Sequence, residues 1–269
     1  CSGSRSGTCS CAVADSISQT AYASMPVHER YPNFVRDQRQ FFDELVTEDW
    51  HSYISSEWDY VRRYEIGRLF RRIQPTTILD VGCGCGFHDR VMAEYPFVRE
   101  VIAIDYSLKS IEAAEREYPH PRVTRWVSDF AEFPRDRAFD LVVSFQVIEH
   151  LDDPGAFMGF CRDVCTEGGH VAVFTPNRLR WRNRVLRMRG EPEQMCDTQH
   201  HQEYSIQDLR RLGAQAGLAE VGWFGYTLAG TGVTWIDRQR VETRTTLGHW
   251  MPWVANGLCL TLRRRKRDV

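Results

Sequence analysis

Residues 78–90 read ILDVGCGCGFHDR, an apolar run that ends on Asp80 and is followed by glycine at every second position, Gly82, Gly84 and Gly86. Glycine costs backbone entropy inside a strand or a helix, so this density needs a reason. A sharp turn that lets a ligand approach the main chain supplies one. The run before the glycines is strand-like, and HDRVMAEY after them has a helical pattern.

Outward from this turn the same alternation repeats. REVIAID, RVTRWVS, FDLVVSF and GGHVAVFT read as strands, while SLKSIEAAERE and PGAFMGFCRDVC read as helices. Strands apolar on both faces and separated by helical segments predict a mostly parallel sheet covered by helices. The fold class is α/β, Rossmann-like and doubly wound, with helices on both faces. Upstream, residues 34–75 form an N-terminal helical cap. In it Trp58, Val61, Ile66, Leu69, Phe70 and Ile73 mark one apolar face, with arginines on the other. Downstream, Ser205 as N-cap and Gly217 just past the end bracket a helix over SIQDLRRLGAQAG. LAEVGWF and NGLCLTL add strands, and the stretch from Tyr226 to Ala255 is the least legible. The domain proper spans 76–262 with an insertion at 176–203. Residues 1–33 read as a mobile tail without apolar period, and 263–269 as a basic tail.

The formal charge of −2 gives no sign of a nucleic-acid partner, and no apolar run reaches the ~20 residues of a bilayer-spanning helix. The nine cysteines are scattered and odd in number, which suits reduced thiols in a cytoplasmic enzyme better than a disulfide framework. Cys161 and Cys165 stand one helical turn apart, but no second pair with ligand spacing accompanies them, so no metal is expected there.

In open α/β sheets ligands bind beyond the carboxyl ends of the strands, where strand order reverses. Three strand ends there carry acids: Asp80 before the glycines, Asp105 closing VIAID, and Asp129 in Ser128-Asp129-Phe130. A carboxylate at Asp105 can accept from both ribose hydroxyls of a nucleoside, and one at Asp129 from an adenine amino group, with an apolar side chain beside the ring. A nicotinamide-dependent oxidoreductase is the rival reading. Its fingerprint spaces the glycines GxGxxG and does not need an acid at Asp80.

ILDVGCGCG, VIAIDYS, WVSDF and FDLVVSFQVIEHLDDP, in this order and spacing, resemble the class I S-adenosylmethionine-dependent methyltransferases. The last segment and GGHVAVFTPNR look most like the branch that contains the ubiquinone-biosynthesis O-methyltransferases. The resemblance covers about residues 57–226 and implies a seven-stranded sheet with S-adenosyl-L-methionine as cofactor. On that resemblance Gly82, Cys83, Gly84 and Gly86 cradle the methionine half, and Asp80 acts through the loop or on the cofactor's amino group. Asp105 holds the ribose, and Tyr106, Ser128, Asp129 and Phe130 surround the adenine. Phe145 and Gln146 close over the sulfonium. Arg62, with Arg63 as an equal alternative, meets the cofactor carboxylate.

Methyl transfer from a sulfonium is an in-line displacement that depends on holding nucleophile and methyl at ~3–3.5 Å, and an alcohol or phenol also benefits from a base within reach. The candidate catalytic residues are Glu149, His150, His200 and His201, with Tyr204 beside them. The ubiquinone-type pattern Glu-x-x-Glu-His is read as a divalent-metal site. Here it is Gln146-x-x-Glu149-His150, and an amide is a poorer ligand for a hard cation, so no metal is expected.

The segment RLRWRNRVLRMR at 178–189 carries six arginines among apolar residues and reads as a lid. Its cationic face suits an anionic acceptor or an anionic membrane surface, and RRRKR at 263–267 extends that patch. No Asn- or Asp-Pro-Pro-aromatic motif follows the fourth strand, which disfavours methylation of DNA bases, and no paired-glutamate loop of the protein-arginine enzymes is visible. The best remaining acceptor class is a small molecule, lipid or glycan methylated on oxygen, with methylation on nitrogen or carbon as the open alternative. The different-class alternative is a non-catalytic module that binds a nucleoside or a partner protein.

Overall fold

Strand β1 (Thr77–Val81) is buried along four of its five residues and pairs in parallel with β2 (Glu100–Asp105) on one side and β4 (Phe139–Phe145) on the other. Near-continuous Ile, Leu and Val suit such a doubly covered position. The computed structural model describes residues 35–46 and 56–265. The expected tail at 1–33, the cysteines within it, and residues 266–269 lie outside the described residues.

The sheet has seven strands in the order β3-β2-β1-β4-β5-β7-β6, with β3 at Val123–Val127, β5 at Cys165–Pro176, β6 at Leu218–Tyr226 and β7 at Gly257–Arg264. All pairings are parallel except those of β7, which runs antiparallel to both neighbours. Strand order reverses between β1 and β4, so the loops after them form the crevice where α/β sheets bind ligands.

Two apolar layers flank the sheet. One joins the far ends of α5 (Pro154–Asp163) and α7 (Ile206–Gln215) to Leu79, Val142 and Leu260. The other packs α2 (Ser56–Phe70) and α3 (Phe87–Ala93) onto Ile78, Leu141 and Phe174. The helix over 206–215 has the expected ends. Ser205 accepts from Asp208 N in a reciprocal capping box, and Gly217 takes a left-handed φ of 76° just past it. The remaining helices are α1 (Gln38–Leu45), α4 (Leu108–Glu117), α6 (Trp181–Met188), α8 (Thr234–Asp237) and α9 (Val241–Trp250).

Several expectations need correction. The stretch around Tyr226–Ala255 folds into α8 and α9, whose mixed sequence carries no clear apolar period. Strand β3 is not apolar on both faces: it is an edge strand whose adjacent Trp126 and Val127, on opposite faces, are both exposed and whose one buried residue is Arg125. Trp58 is 54% exposed and lies on the wall of a cleft rather than in the apolar face of α2, while Glu65 of the same helix is buried. Cys165 begins β5 instead of ending the preceding helix, so it does not share a helical face with Cys161. Arg263 and Arg264 belong to β7. They bond to Gly168 O and to the carbonyls of Arg162, Asp163 and Cys165. Because β7 pairs Gly257 with Pro176 and Arg263 with His170, these arginines sit at the opposite sheet edge from the arginine-rich segment. Arg263 and Arg264 therefore do not join that segment in one patch.

Candidate active site

At the crevice, Gly82, Gly84 and Gly86 all have positive φ, at 75°, 52° and 83°. The reasons for bare backbone differ among them. A Cβ on Gly82 would stand 2.4 Å from Val147 Cγ2, and one on Gly86 would stand 2.6 Å from Ala114 Cβ and 3.0 Å from Arg125 Nε. A Cβ on Gly84 would meet nothing within 4 Å, because that residue faces open space. Two glycines therefore serve packing, and the middle one presents the main chain to the cleft.

The loop is anchored from β2. Gly82 N and Cys83 N both donate to Ile104 O, and Gly84 N donates to Asp105 Oδ2 at 2.9 Å. Ser107 N donates to Asp105 Oδ1. Burial pushes the Asp105 carboxyl above the usual carboxylate range, opposed by these two amide bonds. Asp80, expected to act through the loop, bonds no loop amide. Both its oxygens are fully buried without a hydrogen-bond partner among the described residues, and burial together with Asp89 and Asp105 pushes its carboxyl well up.

The cleft has a volume of about 950 Å³ and is lined by Gly82, Cys83, Gly84, Asp105, Tyr106 and Asp129 on one side. That volume is at the upper end of small-molecule sites, large enough for a nucleoside and a second reactant. Tyr106 lies against α1, with Phe42 edge-on at 6.4 Å and Arg39 over its ring. Asp129 Oδ1 holds Ala131 N. Phe130, expected beside the adenine, instead packs edge-on against Phe157 in the core, and the Ser128 hydroxyl donates to Asp129 O; neither lines the cleft.

Across the cleft, Arg62 stacks over Phe87 and has no hydrogen-bond partner among the described residues. Arg63 is instead engaged with Asp59 and Glu94 on the outside. The geometry separates the two arginines that sequence left equal. Phe145 is stacked between His88 at 3.8 Å and Phe174 at 4.5 Å. Gln146 has a φ of 58°, uncommon for a side chain with a Cβ, and its amide donates to Tyr226 Oη at 3.0 Å.

Sequence reading missed a buried polar group beneath this wall. Glu65 Oε2 is 3.6 Å from His88 Nε2, and Glu65 also bonds Tyr226. Burial raises the Glu65 carboxyl to about 8, and burial with Arg62 holds His88 well below the imidazole range. At neutral pH the pair is therefore a protonated carboxyl beside a neutral imidazole, not an ion pair. Glu65 lies one helical turn after Arg62, and Tyr226 ends a strand at the ligand edge; these two spacings were the available signals.

The rim carries three histidines. His150 shares Nδ1 with Gln199 O at 3.2 Å, and burial followed by His200 lowers its value to about 4. His200 is buried against Glu203, which also binds Arg180. His201 Nδ1 lies 2.8 Å from Oδ1 of Asp152, a carboxylate whose side chain is 94% exposed. Glu149 points away from the cleft, with Oε2 accepting from Thr175 Oγ1, and burial raises it to about 7. Tyr204 is buried in the core. Glu149–His150–His200 and Cys196–His200–Glu203 are each close enough to share a cation; Arg180 already pairs with Glu203, whereas Thr175 engages only Oε2 of Glu149, whose Oε1 is buried without a partner among the described residues.

The residues fit an adenosyl amino acid: an open main chain at Gly84, carboxylates at Asp105 and Asp129, and an available guanidinium at Arg62. The comparisons agree. A family described as a methyltransferase domain matches residues 57–221. A Mycolicibacterium smegmatis protein named "Probable S-adenosylmethionine-dependent methyltransferase" is 36% identical over 129 residues, 47% of this chain and 49% of its own. A ubiquinone biosynthesis O-methyltransferase of Bradyrhizobium is 37% identical over 119 residues, 42% of this chain and 44% of its own. The chain thus spans about half the length of these curated relatives. Among solved structures, the N-methyltransferase NodS of Bradyrhizobium japonicum in complex with S-adenosyl-L-homocysteine matches with a TM-score of 0.55. It is 16% identical and the match covers 86% of this chain and 100% of that one, a likeness of fold. The match of the family description across the sheet's ligand edge, joined to that fold, shows that the chain belongs to the methyltransferase-domain family.

Proposed function

We propose that the protein is an S-adenosyl-L-methionine-dependent methyltransferase that methylates an oxygen of a small molecule, lipid or glycan. The observation that carries this reading is the juxtaposition of Gly84, open to the cleft, with Asp105, whose carboxylate is already fixed by two amides. When bound, the cofactor supplies a methyl group on an electrophilic sulfonium. Asp105 is placed to accept from ribose hydroxyls, Arg62 to pair with a carboxylate, and Phe145 and Gln146 to form the wall beside the reacting centre.

His201 is the general base in this reading: it lines the cleft, and an Nδ1–H donated to Asp152 would make Nε2 the accepting nitrogen. His150 is held neutral by burial, but a value near 4 makes it a weak base. The ubiquinone-type name among the relatives supports oxygen as the acceptor atom. The test is a mass-spectrometric screen of phenols, lipids and sugars incubated with the protein and cofactor. A product heavier by one methyl group on oxygen is the expected result; methylation confined to nitrogen or carbon would overturn the acceptor assignment.

A further inference from the structure

The four most exposed large hydrophobic residues among the described residues are Met188 at 80%, Trp250 at 72%, Trp235 at 63% and Trp253 at 55%. All four belong to one unit formed by α6, α8, α9 and the loop after α9. Trp181 N donates to Val254 O at 2.9 Å, and Arg184 donates to Trp253 O, so α6 is fastened to that loop. Beneath them Leu228, Ile236 and Val254 are buried, with Trp181, Val233, Leu247 and Met251 packed against them. The exposed indoles therefore ride on a packed support.

The charge of this unit is one-sided. Residues 178–189 contain six arginines and no acid. Arg180 is buried against Glu203 and Arg178 pairs with Asp208, while Arg182, Arg184, Arg187 and Arg189 are exposed, Arg187 at 4.0 Å from Glu193. Arg184 spends its bonds on the neutral carbonyls of Leu179 and Trp253, which leaves its charge uncompensated there. Exposed Arg238 and Arg240 end α8 nearby, with Glu242 as an acidic neighbour.

Exposed large apolar side chains carried together on one packed support, rather than scattered singly, mark an interaction surface. Indole rings favour the water–lipid boundary, and guanidinium groups bind phosphate through several donors at once. We propose that this face docks on an anionic lipid bilayer. Arg180, at the start of α6, lines the cleft, together with Thr227, Asn256 and Gly257 at the ends of β6 and β7 where the unit joins the sheet. Docking would therefore hold the cleft beside the headgroups and favour a membrane lipid as methyl acceptor, a clause that rests on the function proposed above. The charge complementarity selects an anionic bilayer over a neutral one.

The experiment is co-sedimentation of the full chain with vesicles of phosphatidylcholine alone or mixed with phosphatidylglycerol. The protein should pellet with the mixed vesicles only, and less so as salt rises. Trp250→Ser with Trp253→Ser, and separately Arg187→Glu with Arg189→Glu, should each weaken binding at least about tenfold. The arginine pair is fully on the surface, so it tests the idea even where the tryptophan variant folds poorly. Light scattering runs beside it. The proposal is overturned by absence of vesicle binding, by variants that bind as the parent does, or by a dimer that the tryptophan variant converts to monomer. S-adenosylhomocysteine binding measured on the same samples separates the two readings. Vesicle binding without nucleoside binding removes the enzyme assignment and leaves the docking face.

Discussion

At Gly84 a methyl group would project into the cleft, whereas at Gly82 it would strike Val147. A non-glycine residue in the left-handed region costs about 1–2 kcal/mol at either site, and the clash adds about 1–3 kcal/mol at Gly82. Gly82→Ala should therefore lower unfolding free energy clearly more than Gly84→Ala in urea titrations. Gly84→Ala should lose more S-adenosylhomocysteine affinity for the stability it loses. Glu65 gives a second test. Its folded value of about 8 lies above the ordinary carboxylate range, so the native state holds a proton that the unfolded chain releases. Stability from this group is full at low pH and is lost as pH rises toward 8. Glu65→Gln should flatten that decline, by an amount on the order of a few kcal/mol between pH 5 and about 9. Should parent and variant show parallel pH profiles, Glu65 is not protonated in the folded state. For His201→Ala, a drop in kcat of about 10²–10⁴ with little change in KM is expected; an unchanged kcat would move the base elsewhere. The glycines and Asp105 were legible because backbone geometry and strand ends restrict residue type. Glu65 and His88 were not, because a single polar residue on a helix does not reveal which side is buried.

Between elements, the contact that most constrains the site is the ion pair of Asp89 on α3 with Arg125 on β3, bidentate at 2.9 and 2.7 Å and fully buried. Arg125 also stands where a Cβ on Gly86 would be, so this pair, the glycine turn and the edge strand are one packing unit. Burial pushes Asp89 up to about 6 despite its partner. Removing one member of such a pair leaves a buried charge alone and costs about 3–5 kcal/mol. Asp89→Ala should lower the unfolding free energy by that amount, and thermal denaturation checks it; a loss below about 1 kcal/mol would show the pair to be solvated. At this scale the sequence was informative wherever a period ran long. RVTRWVS announced a strand, yet nothing in it said that Arg125 would turn inward while Trp126 turned out. The helices after Tyr226 escaped because α9 carries only Val241, Leu247 and Trp250 as large apolar residues, too few to set a helical period, and α8 is one turn long.

For the molecule as a whole, seven strands bring three separate loops to one crevice, and the parallel part of that arrangement follows from strands apolar on both faces. The antiparallel entry of β7 does not follow, since NGLCLTL reads the same in either direction. That reversal sends Arg263 and Arg264 to the far edge of the sheet and leaves α6 as the basic surface flanking the cleft. The acceptor side was illegible for a physical reason. It is built from α1, α2 and the loops after β5 and β6, which meet only in three dimensions. The central claim is a nucleoside pocket anchored on Asp105, and calorimetric titration with S-adenosylhomocysteine tests it most directly. The parent protein should bind one equivalent, and Asp105→Ala should weaken that binding by about 10–100-fold, as loss of charge-assisted hydrogen bonds implies. No binding by the parent, or equal affinity in the variant, would contradict the account.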